Sequence, residues 1–187
     1  MGLATAPIDA LSLTALLAAS QPQLALHLRE ETTGDLDFAA SLYASTRVTE
    51  LAAVPWSDAE KAAFCRMQFN AQHTHYEAHY PGVQFMIIER DASEQRKQSE
   101  RIGRVYIEQT PAALLLMEIT LSPEQRGGGI GAAITAALLR HARANALPMH
   151  LHVEPLNPAK RLYERLGFVD VETSGFYTSM VCPAAAL

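Results

Sequence analysis

The stretch RGGGIG, residues 126–131, decides the fold of this chain. It follows an apolar run that ends with LSP at residues 121–123, and it opens an apolar-periodic segment at residues 132–139. This order predicts a strand, a glycine loop and a helix. Four glycines in six positions let the backbone approach a ligand closely, and the first amides of the helix have no intrahelical partner. We therefore expect the loop to bind a phosphate-bearing ligand.

Two common glycine-loop chemistries do not fit this stretch. A Walker loop continues with Lys-Ser/Thr after its last glycine, whereas Gly131 is followed by Ala132 and Ala133. A dinucleotide-binding fold places its glycines after the first strand and an acidic residue about 20 positions later. Here several predicted strands precede the loop, and position 151 is leucine. A diphosphate-bearing ligand of another kind remains, and so does the less favoured alternative of a glycine-rich helix start without a ligand.

The composition is that of one globular domain. A chain of 187 residues can bury a full core without disulfides or metals, and 49% hydrophobic and 19% charged residues are ordinary proportions. The formal net charge of −5 excludes the global basic field that nucleic-acid binding favours, so we expect no nucleic-acid partner. Cys65 and Cys182 are far apart and lack metal-ligand spacing, which predicts a reduced, cytoplasmic setting and no metal site.

The N-terminus is apolar, but it lacks the positive charges of a signal peptide and carries Asp9 before its leucine-rich part. We predict a short helix or loose arm at residues 1–23 and a single domain at residues 24–187. No stretch approaches the about 18 uninterrupted apolar residues of a membrane span, so no membrane partner is expected.

Periodicity and turn signals predict eleven elements in the order β-α-α-β-β-β-α-β-α-β-β. We expect Asp35 to cap the first helix, and Ser57 with Glu60 to form a capping box for the second. The fold class is α/β, of the α+β type, with a central mixed sheet covered by helices on both faces. The predicted strands are residues 24–29, 83–89, 102–109, 113–121, 149–154, 168–173 and 176–182, with a polar turn at 91–101, and the predicted helices are residues 36–51, 57–80, 130–145 and 157–166.

Two sequence blocks resemble the GNAT N-acetyltransferase superfamily. The first is the Arg-x-x-Gly-x-Gly loop from Arg126 to Gly131, preceded by Leu121-x-Pro123. The second is NPAKRLYERLGF at residues 157–168. Either block alone is moderate support, but together, in this order and in the strand-loop-helix context, they are strong. The resemblance extends over residues 24–182 and is sharpest at residues 119–168, and the predicted element order matches that family's fold.

The resemblance implies acetyl-CoA as donor, with its diphosphate held by the loop amides. Arg126 is expected either to add charge to this contact or to serve the structure. The pantetheine arm is implied to run between the strands ending near Leu121 and Glu154, and the Leu121 amide to stabilise the developing oxyanion. The implied cofactor-binding residues are Thr120, Leu121, Arg126, Gly127, Gly128, Gly129, Ile130, Gly131, Ala132, Asn157 and Tyr163.

Tyr163 matches the family tyrosine that protonates the departing CoA thiolate. A phenol suits this step because it is a neutral acid at pH 7. The alternative is a core aromatic packed with Leu162 and Leu166 at helical spacing. Asn157 is expected to cap the helix or to reach the pantetheine. Many family members have one more residue between this asparagine and the tyrosine, so the sequence departs from the family pattern here.

The acceptor amine must lose a proton before it attacks, so a base or a water chain is needed. Glu118 lies inside the apolar run LLLMEITL, where an unpaired carboxylate would be costly without a purpose. The alternative for Glu118 is a salt bridge with an arginine on the covering helices. Glu154 and His152 are further candidates for the base. His150 and His152 share one strand face, but without a third ligand a metal pair is not favoured.

The early helices and the final hairpin are expected to line an acceptor pocket. Its candidate residues are Arg47, Trp56, His75, Tyr76, Tyr80 and Tyr177. The favoured function is transfer of acetyl to a primary amine of a small molecule, by direct attack in a ternary complex. The alternatives are acetylation of a peptide or protein N-terminus or of lysine, and a non-catalytic acyl-CoA-binding module. The family's habit also suggests a homodimer.

Overall fold

A mixed sheet of seven strands runs through the protein in a computed structural model, which describes residues 8–93 and 97–184. The spatial strand order is β1-β2-β3-β4-β5-β7-β6. All neighbours pair antiparallel except β4 and β5, which pair parallel. The predicted mixed sheet is therefore confirmed. The strands are β1 (Leu26–Glu30), β2 (Val83–Arg90), β3 (Glu100–Gln109), β4 (Leu114–Leu121), β5 (Met149–Val153), β6 (Val169–Ser174) and β7 (Tyr177–Cys182).

Five α-helices accompany the strands in the described ranges. Four of them were predicted as helices of the domain, and each of these four begins and ends within two residues of its predicted bounds. Short 3-10 turns at Pro22–Leu24, Thr33–Asp35 and Pro123–Gln125 connect elements. Residues 94–96 of the predicted 91–101 turn lie outside the described residues, as do residues 1–7 and 185–187. The helices are α1 (Ala10–Ser20), α2 (Leu36–Leu51), α3 (Asp58–His79), α4 (Ile130–Ala144) and α5 (Ala159–Arg165).

The helices cover both faces of the sheet, because alternate strand residues point to opposite sides. One face carries the main core, in which α1 and α4 pack on apolar strand residues such as Met86 and Val105. The other face carries α2 and α3, whose small cluster centres on Phe69. His73 of α3 stacks on Phe85, the strand neighbour of Met86, with ring centroids 4.4 Å apart.

Two predicted helix caps concern α2 and α3, the helices on the face opposite the main core. Ser57 and Glu60 form the predicted capping box at the start of α3, which is confirmed. Asp35 does not cap α2 as expected. It instead accepts hydrogen bonds from Thr32 and from Arg29, at 2.7 and 2.8 Å from the latter's two terminal nitrogens. These bonds, led by Arg29, hold the pKa of the Asp35 carboxyl well below its usual range.

Helix α1 belongs to the main core. Asp9 caps it by accepting from the Ser12 amide at 2.7 Å. Leu13 and Leu17 are buried on its inner side, whereas Leu11 is 78% exposed. Residues 10–20 therefore form the short helix that was one of the two expectations for the N-terminal arm. The domain boundary at residue 24 stays a prediction.

A pair of substitutions in α1 measures what this packing contributes. Leu13→Ala should lower the free energy of unfolding by about 2–5 kcal/mol, because it leaves a cavity in the core. Leu11→Ala removes the same atoms from an exposed position and should change it by less than about 0.5 kcal/mol. Urea unfolding of both variants checks this. Equal effects would contradict the packing of α1 on the sheet.

Candidate active site

Strands β4 and β5 pair over only three residue pairs and then part. The pairs join residues 114–116 of β4 to residues 149–151 of β5. Beyond these pairs, β4 continues to Leu121 and pairs only with β3, so a gap opens between β4 and β5. The amide of Ser122 donates to the carbonyl oxygen of Ile102 in β3 at 2.9 Å. Because backbone groups alternate sides along a strand, the N–H of Leu121 points away from β3 into the gap.

A β-bulge turns Glu118 towards this gap. Tyr106 of β3 lies opposite Glu118, and Ile107 lies opposite Leu116, so Met117 is the extra residue. Leu116 faces the main core. Strict alternation would also direct Glu118 there, but the extra residue moves its carboxylate to the α2–α3 face. The sequence pattern predicted a regular strand here and missed the bulge.

Glu118 lies in a buried polar network rather than alone. Thr120 Oγ1 donates to Glu118 Oε1, and Arg104 Nη2 lies 3.7 Å from the same oxygen. Arg104 is fully buried, and its Nε and Nη2 have no hydrogen-bond partner within the described residues. Its Nη1 donates to Tyr106 Oη at 3.3 Å, and Tyr106 donates to Glu31 Oε2 at 2.6 Å.

Glu118 does pair with an arginine, as the salt-bridge alternative predicted, but the arginine does not lie on a covering helix. Arg104 lies on the neighbouring strand β3. His73 of α3 joins the other end of the network, with Nε2 at 2.9 Å from Glu31 Oε1. The Arg104 guanidinium also lies over the Phe69 ring, 5.1 Å from its centroid. The network therefore connects Glu118 of β4 to His73 of α3.

A cavity of about 430 Å³ opens at the parted strands. It brings together Glu118, Thr120, Asn157 and Tyr163 of the predicted site. Four of the six acceptor-pocket candidates also line it, namely Arg47, Tyr76, Tyr80 and Tyr177. Trp56 and His75 lie outside it, Trp56 packing on Phe64 and His75 stacking on His79. The sequence analysis did not single out Tyr43, Thr46, Glu50 and Gln72, which line the cavity from α2 and α3.

Tyr163 of α5 lines the cavity and is largely buried. Its ring is 7% exposed and packs edge-on against Phe168, with centroids 5.8 Å apart. Burial, followed by the nearby charge of Glu118, raises the pKa of Tyr163 to about 12. The phenol is therefore protonated at neutral pH. Asn157 precedes α5, and its Oδ1 accepts from the amide of Ala159, the first residue of that helix, at 2.9 Å.

The glycine loop adopts a backbone that only glycine takes easily. Gly127 has a φ angle of 78° and Gly129 one of 83°. A Cβ atom added at Gly129 or at Gly131 would meet nothing within 4 Å, so the space above the loop is open. The first intrahelical bond of α4 runs from Ala133 N to Gly129 O. The amides of residues 130–132 therefore precede the hydrogen-bonded ladder of the helix.

The Arg126 side chain makes two hydrogen bonds to other parts of the protein. Its Nε donates to the carbonyl oxygen of Leu121 at 3.0 Å, and its Nη2 donates to Ser45 Oγ of α2 at 2.6 Å. These two bonds tie the end of β4 to α2. A shallow pocket of about 360 Å³ lies on the other side of the loop, lined by Gln21, Gln23, Leu24, Gly128, Gly129, Ala132, Ala133, Ala136 and Leu166.

Residues 8–93 and 97–184 contain no group of at least three His, Cys, Asp or Glu side chains that could hold a metal ion. His152 lines the cavity, while His150 is exposed elsewhere on β5. In the same part of the chain, no helix has both the length and the apolar character needed to cross a bilayer.

The sequence profile described as "Acetyltransferase (GNAT) domain" matches residues 81–170, which include the gap, the glycine loop and Tyr163. This chain has a GNAT acetyltransferase domain. The GNAT match begins just before β2, so β1 and the helices α1, α2 and α3 lie outside it. Of these, α2 and α3 supply one wall of the cavity.

Curated relatives of this chain include mycothiol acetyltransferases. The protein of Nocardiopsis dassonvillei is 40% identical over 80 residues, which are 42% of this chain and 21% of that protein. The protein of Streptomyces scabiei is 39% identical over 83 residues, or 43% of this chain and 23% of that protein. The chain thus spans about a fifth of the length of these relatives.

Solved structures share the GNAT fold over most of the chain. PaiA N-acetyltransferase from Thermoplasma acidophilum in complex with coenzyme A has a TM-score of 0.60 at 15% identity, over 84% of this chain and 98% of that one. Spermidine N-acetyltransferase from Vibrio cholerae in complex with CoA and spermine has a TM-score of 0.56 at 20% identity, over 86% and 96%. At these identities the likeness shows the fold.

The network beneath the cavity predicts a measurable coupling between Arg104 and Glu118. Arg104→Met should lower the free energy of unfolding by about 3–5 kcal/mol, because it leaves buried carboxylates without a counter-charge. Adding Glu118→Gln to that variant should restore at least about 1 kcal/mol. Urea unfolding of the four forms of this double-mutant cycle tests the coupling. Effects that add to within about 0.5 kcal/mol would contradict it.

Proposed function

We propose that this protein is an acetyl-CoA-dependent N-acetyltransferase that acts on a primary amine of a small molecule by direct attack. The observation that carries the proposal is the meeting of Glu118, Tyr163 and the parted strands at one cavity. In the reaction, the amine nitrogen forms a bond to the acetyl carbon and the carbon–sulfur bond breaks. An acceptor that arrives as an ammonium ion loses one proton to the base before it attacks and a second proton once the new bond has formed, and the departing thiolate gains one proton.

The donor is held by backbone groups. The open space over Gly129 and Gly131, with free amides at the start of α4, fits a diphosphate. The pocket on the other side of the loop offers room for the nucleotide end of the same molecule. Thr120 and Leu121 border the gap that the pantetheine arm enters, and the Leu121 amide points into it, where it can donate to the thioester oxygen as negative charge develops.

Arg126 enters this proposal as a structural residue. Both of its bonds go to protein atoms, and they fix the turn between β4 and the loop. The loop residues Gly127, Gly128, Ile130 and Ala132 are proposed to contact the donor through their backbones. Asn157 lines the cavity, where it is proposed to contact the pantetheine arm, and it also accepts a hydrogen bond from the Ala159 amide.

Tyr163 is the proposed general acid. Its raised pKa keeps the phenol protonated at neutral pH, so it has a proton to donate to the thiolate. Burial also holds the ring in one position, because its contact with Phe168 limits rotation.

Glu118 is the proposed base, acting directly or through a water molecule. The bond from Thr120 and the guanidinium of Arg104 fix the carboxylate in the wall of the cavity. A fixed acceptor within the cavity meets the geometric requirement for general base catalysis. Helices α2 and α3 cover the cavity from one side and Tyr177 of β7 borders it. This partial enclosure favours a small acceptor over a folded protein chain.

Release of free thiol from acetyl-CoA tests the proposed function. The protein is incubated with acetyl-CoA and a panel of amines, amino acids and peptides, and the product amide is identified by mass spectrometry. Thiol release with at least one small amine is expected. Binding of CoA in calorimetry without release for any acceptor would instead support a non-catalytic module, and release with peptides alone would support peptide acetylation.

Tyr163→Phe separates chemistry from packing. The variant should lower kcat by about 100-fold, because a general acid contributes a factor of about 10²–10⁴. The Kd for CoA should change less than twofold, since the ring and its contact with Phe168 remain. Steady-state kinetics and calorimetry check the two quantities. An equal loss of both would assign Tyr163 a packing role.

Gly129→Ala, with Gly175→Ala as its matched control, tests the donor site. Both glycines have positive φ angles, 83° and 59°, and an added Cβ meets nothing within 4 Å at either position. Each variant should therefore lower the free energy of unfolding by about 1–2 kcal/mol through backbone strain, and the two losses should be similar. Gly129→Ala alone should also raise the Kd for CoA, because its methyl group projects into the space over the loop. Calorimetry that gives equal Kd values for the two variants would argue against the donor site.

The homodimer, the cytoplasmic location and the domain boundary remain predictions from the sequence. Gel filtration with light scattering determines the oligomeric state directly.

A further inference from the structure

The wall of the cavity carries more carboxylates than cations. Glu50 on α2, Glu118 on β4 and Glu154 at the end of β5 line it. Among the described lining residues, Arg47 is the only arginine and there is no lysine. At neutral pH these side chains give the wall an excess of negative charge. Such a wall attracts a cationic ligand.

Arg47 does not offset this excess, because two carboxylates share it. Its Nη1 lies 2.9 Å from Glu50 Oε1 and 3.4 Å from Glu154 Oε1. The side chains of Glu50 and Glu154 are 54% and 42% exposed, so this trio lies at the mouth of the cavity. One cation between two carboxylates leaves the mouth with about one net negative charge.

The interior has a second negative position, separate from the mouth. The Glu118 side chain is 20% exposed and therefore lies deeper. Its partner Arg104 is also shared, since Tyr106 connects that guanidinium to Glu31. The cavity thus offers two carboxylate positions, one at the mouth and one beside Tyr163.

The surface between these positions suits a hydrocarbon chain that carries positive charge. Leu115 and Met117, which are not part of the main core, supply apolar contact. The rings of Tyr43, Tyr76, Tyr80 and Tyr177 also line the cavity, and aromatic faces attract cations. The Arg47 guanidinium already occupies such a position over Tyr43, 5.2 Å from the ring centroid.

We propose that the acceptor is a linear diamine or polyamine, whose reacting amine lies beside Glu118 and whose second ammonium lies between Glu50 and Glu154. This inference rests on the proposed function. An acceptor with a carboxylate group is disfavoured, because the charge of Arg47 is already shared by two carboxylates and the three carboxylates of the wall would repel it. A monoamine reaches only one of the two carboxylate positions.

Three acceptors of the same chain length separate these cases in the thiol-release assay at pH 8. Pentylamine has one amine, 1,5-diaminopentane has two, and free lysine adds a carboxylate to the diamine. We expect kcat/KM for the diamine to exceed that for each of the other two by at least about tenfold, the factor that one hydrogen bond to a charged group supplies.

Two variants locate the second ammonium. Glu50→Gln and Glu154→Gln each remove one charge, so that Arg47 neutralises the carboxylate that remains. Each should lower the ratio of kcat/KM for the diamine to kcat/KM for pentylamine by at least about fivefold. The control Glu172→Gln changes an exposed glutamate on β6 that does not line the cavity, and it should leave the ratio unchanged.

The outcomes distinguish the two proposals. Pentylamine or lysine turned over as efficiently as the diamine would overturn the inference and leave the acetyltransferase function standing. An unchanged ratio in both glutamine variants would also overturn it. The absence of thiol release with every acceptor, despite CoA binding, would overturn the proposed function itself.

Discussion

The early parting of β4 and β5 is the constraint on which the rest of the site depends. Three residue pairs join the strands, and the gap beyond them leaves the Leu121 amide directed at open space. A buried strand edge without partners is costly, so such a gap persists only where something else satisfies it. A pantetheine arm, itself a chain of amides, fits that need. The glycine loop at the end of β4 and Tyr163 after β5 then lie at the two borders of the same opening.

The bulge at Met117 is the second feature on which the site depends, because it decides the face of the sheet on which Glu118 lies. It places Glu118 on the face that α2 and α3 cover, opposite Tyr106 and near Arg104. A buried arginine with two unpartnered nitrogens is expensive by itself, and neighbouring carboxylates offset that cost. The stability of the domain and the position of the proposed base are therefore coupled through one guanidinium. In the proposed reaction, the sheet and the glycine loop would hold acetyl-CoA, and the helices that face the bulge would contact the acceptor.

The sequence predicted most elements because their signals are local. The Ser57–Glu60 capping box, the alternation of MHLHV in β5 and the glycine at the end of α5 each report a backbone preference of a few neighbouring residues. Asp35 was predicted wrongly as the cap of α2, because its partners Arg29 and Arg101 come from two different strands. The bulge was missed for a related reason. Nothing within LLLMEITL signals an extra residue, since its register is set by pairing with β3.

By itself, the sequence determined the order of elements, the glycine loop and the Tyr163 block, because these depend on spacing along the chain. The tertiary structure decided which of those residues share a cavity. It engaged Arg126 with Leu121 and Ser45, gave Glu118 a buried partner on β3, and placed Glu50 and Glu154 around Arg47. The bond from Arg126 to Ser45 and the contact of Arg47 with Glu154 join residues far apart in the chain, and the position of Glu118 depends on strand register. Charge balance within a cavity is a sum over such contacts, and therefore only the folded chain defines it.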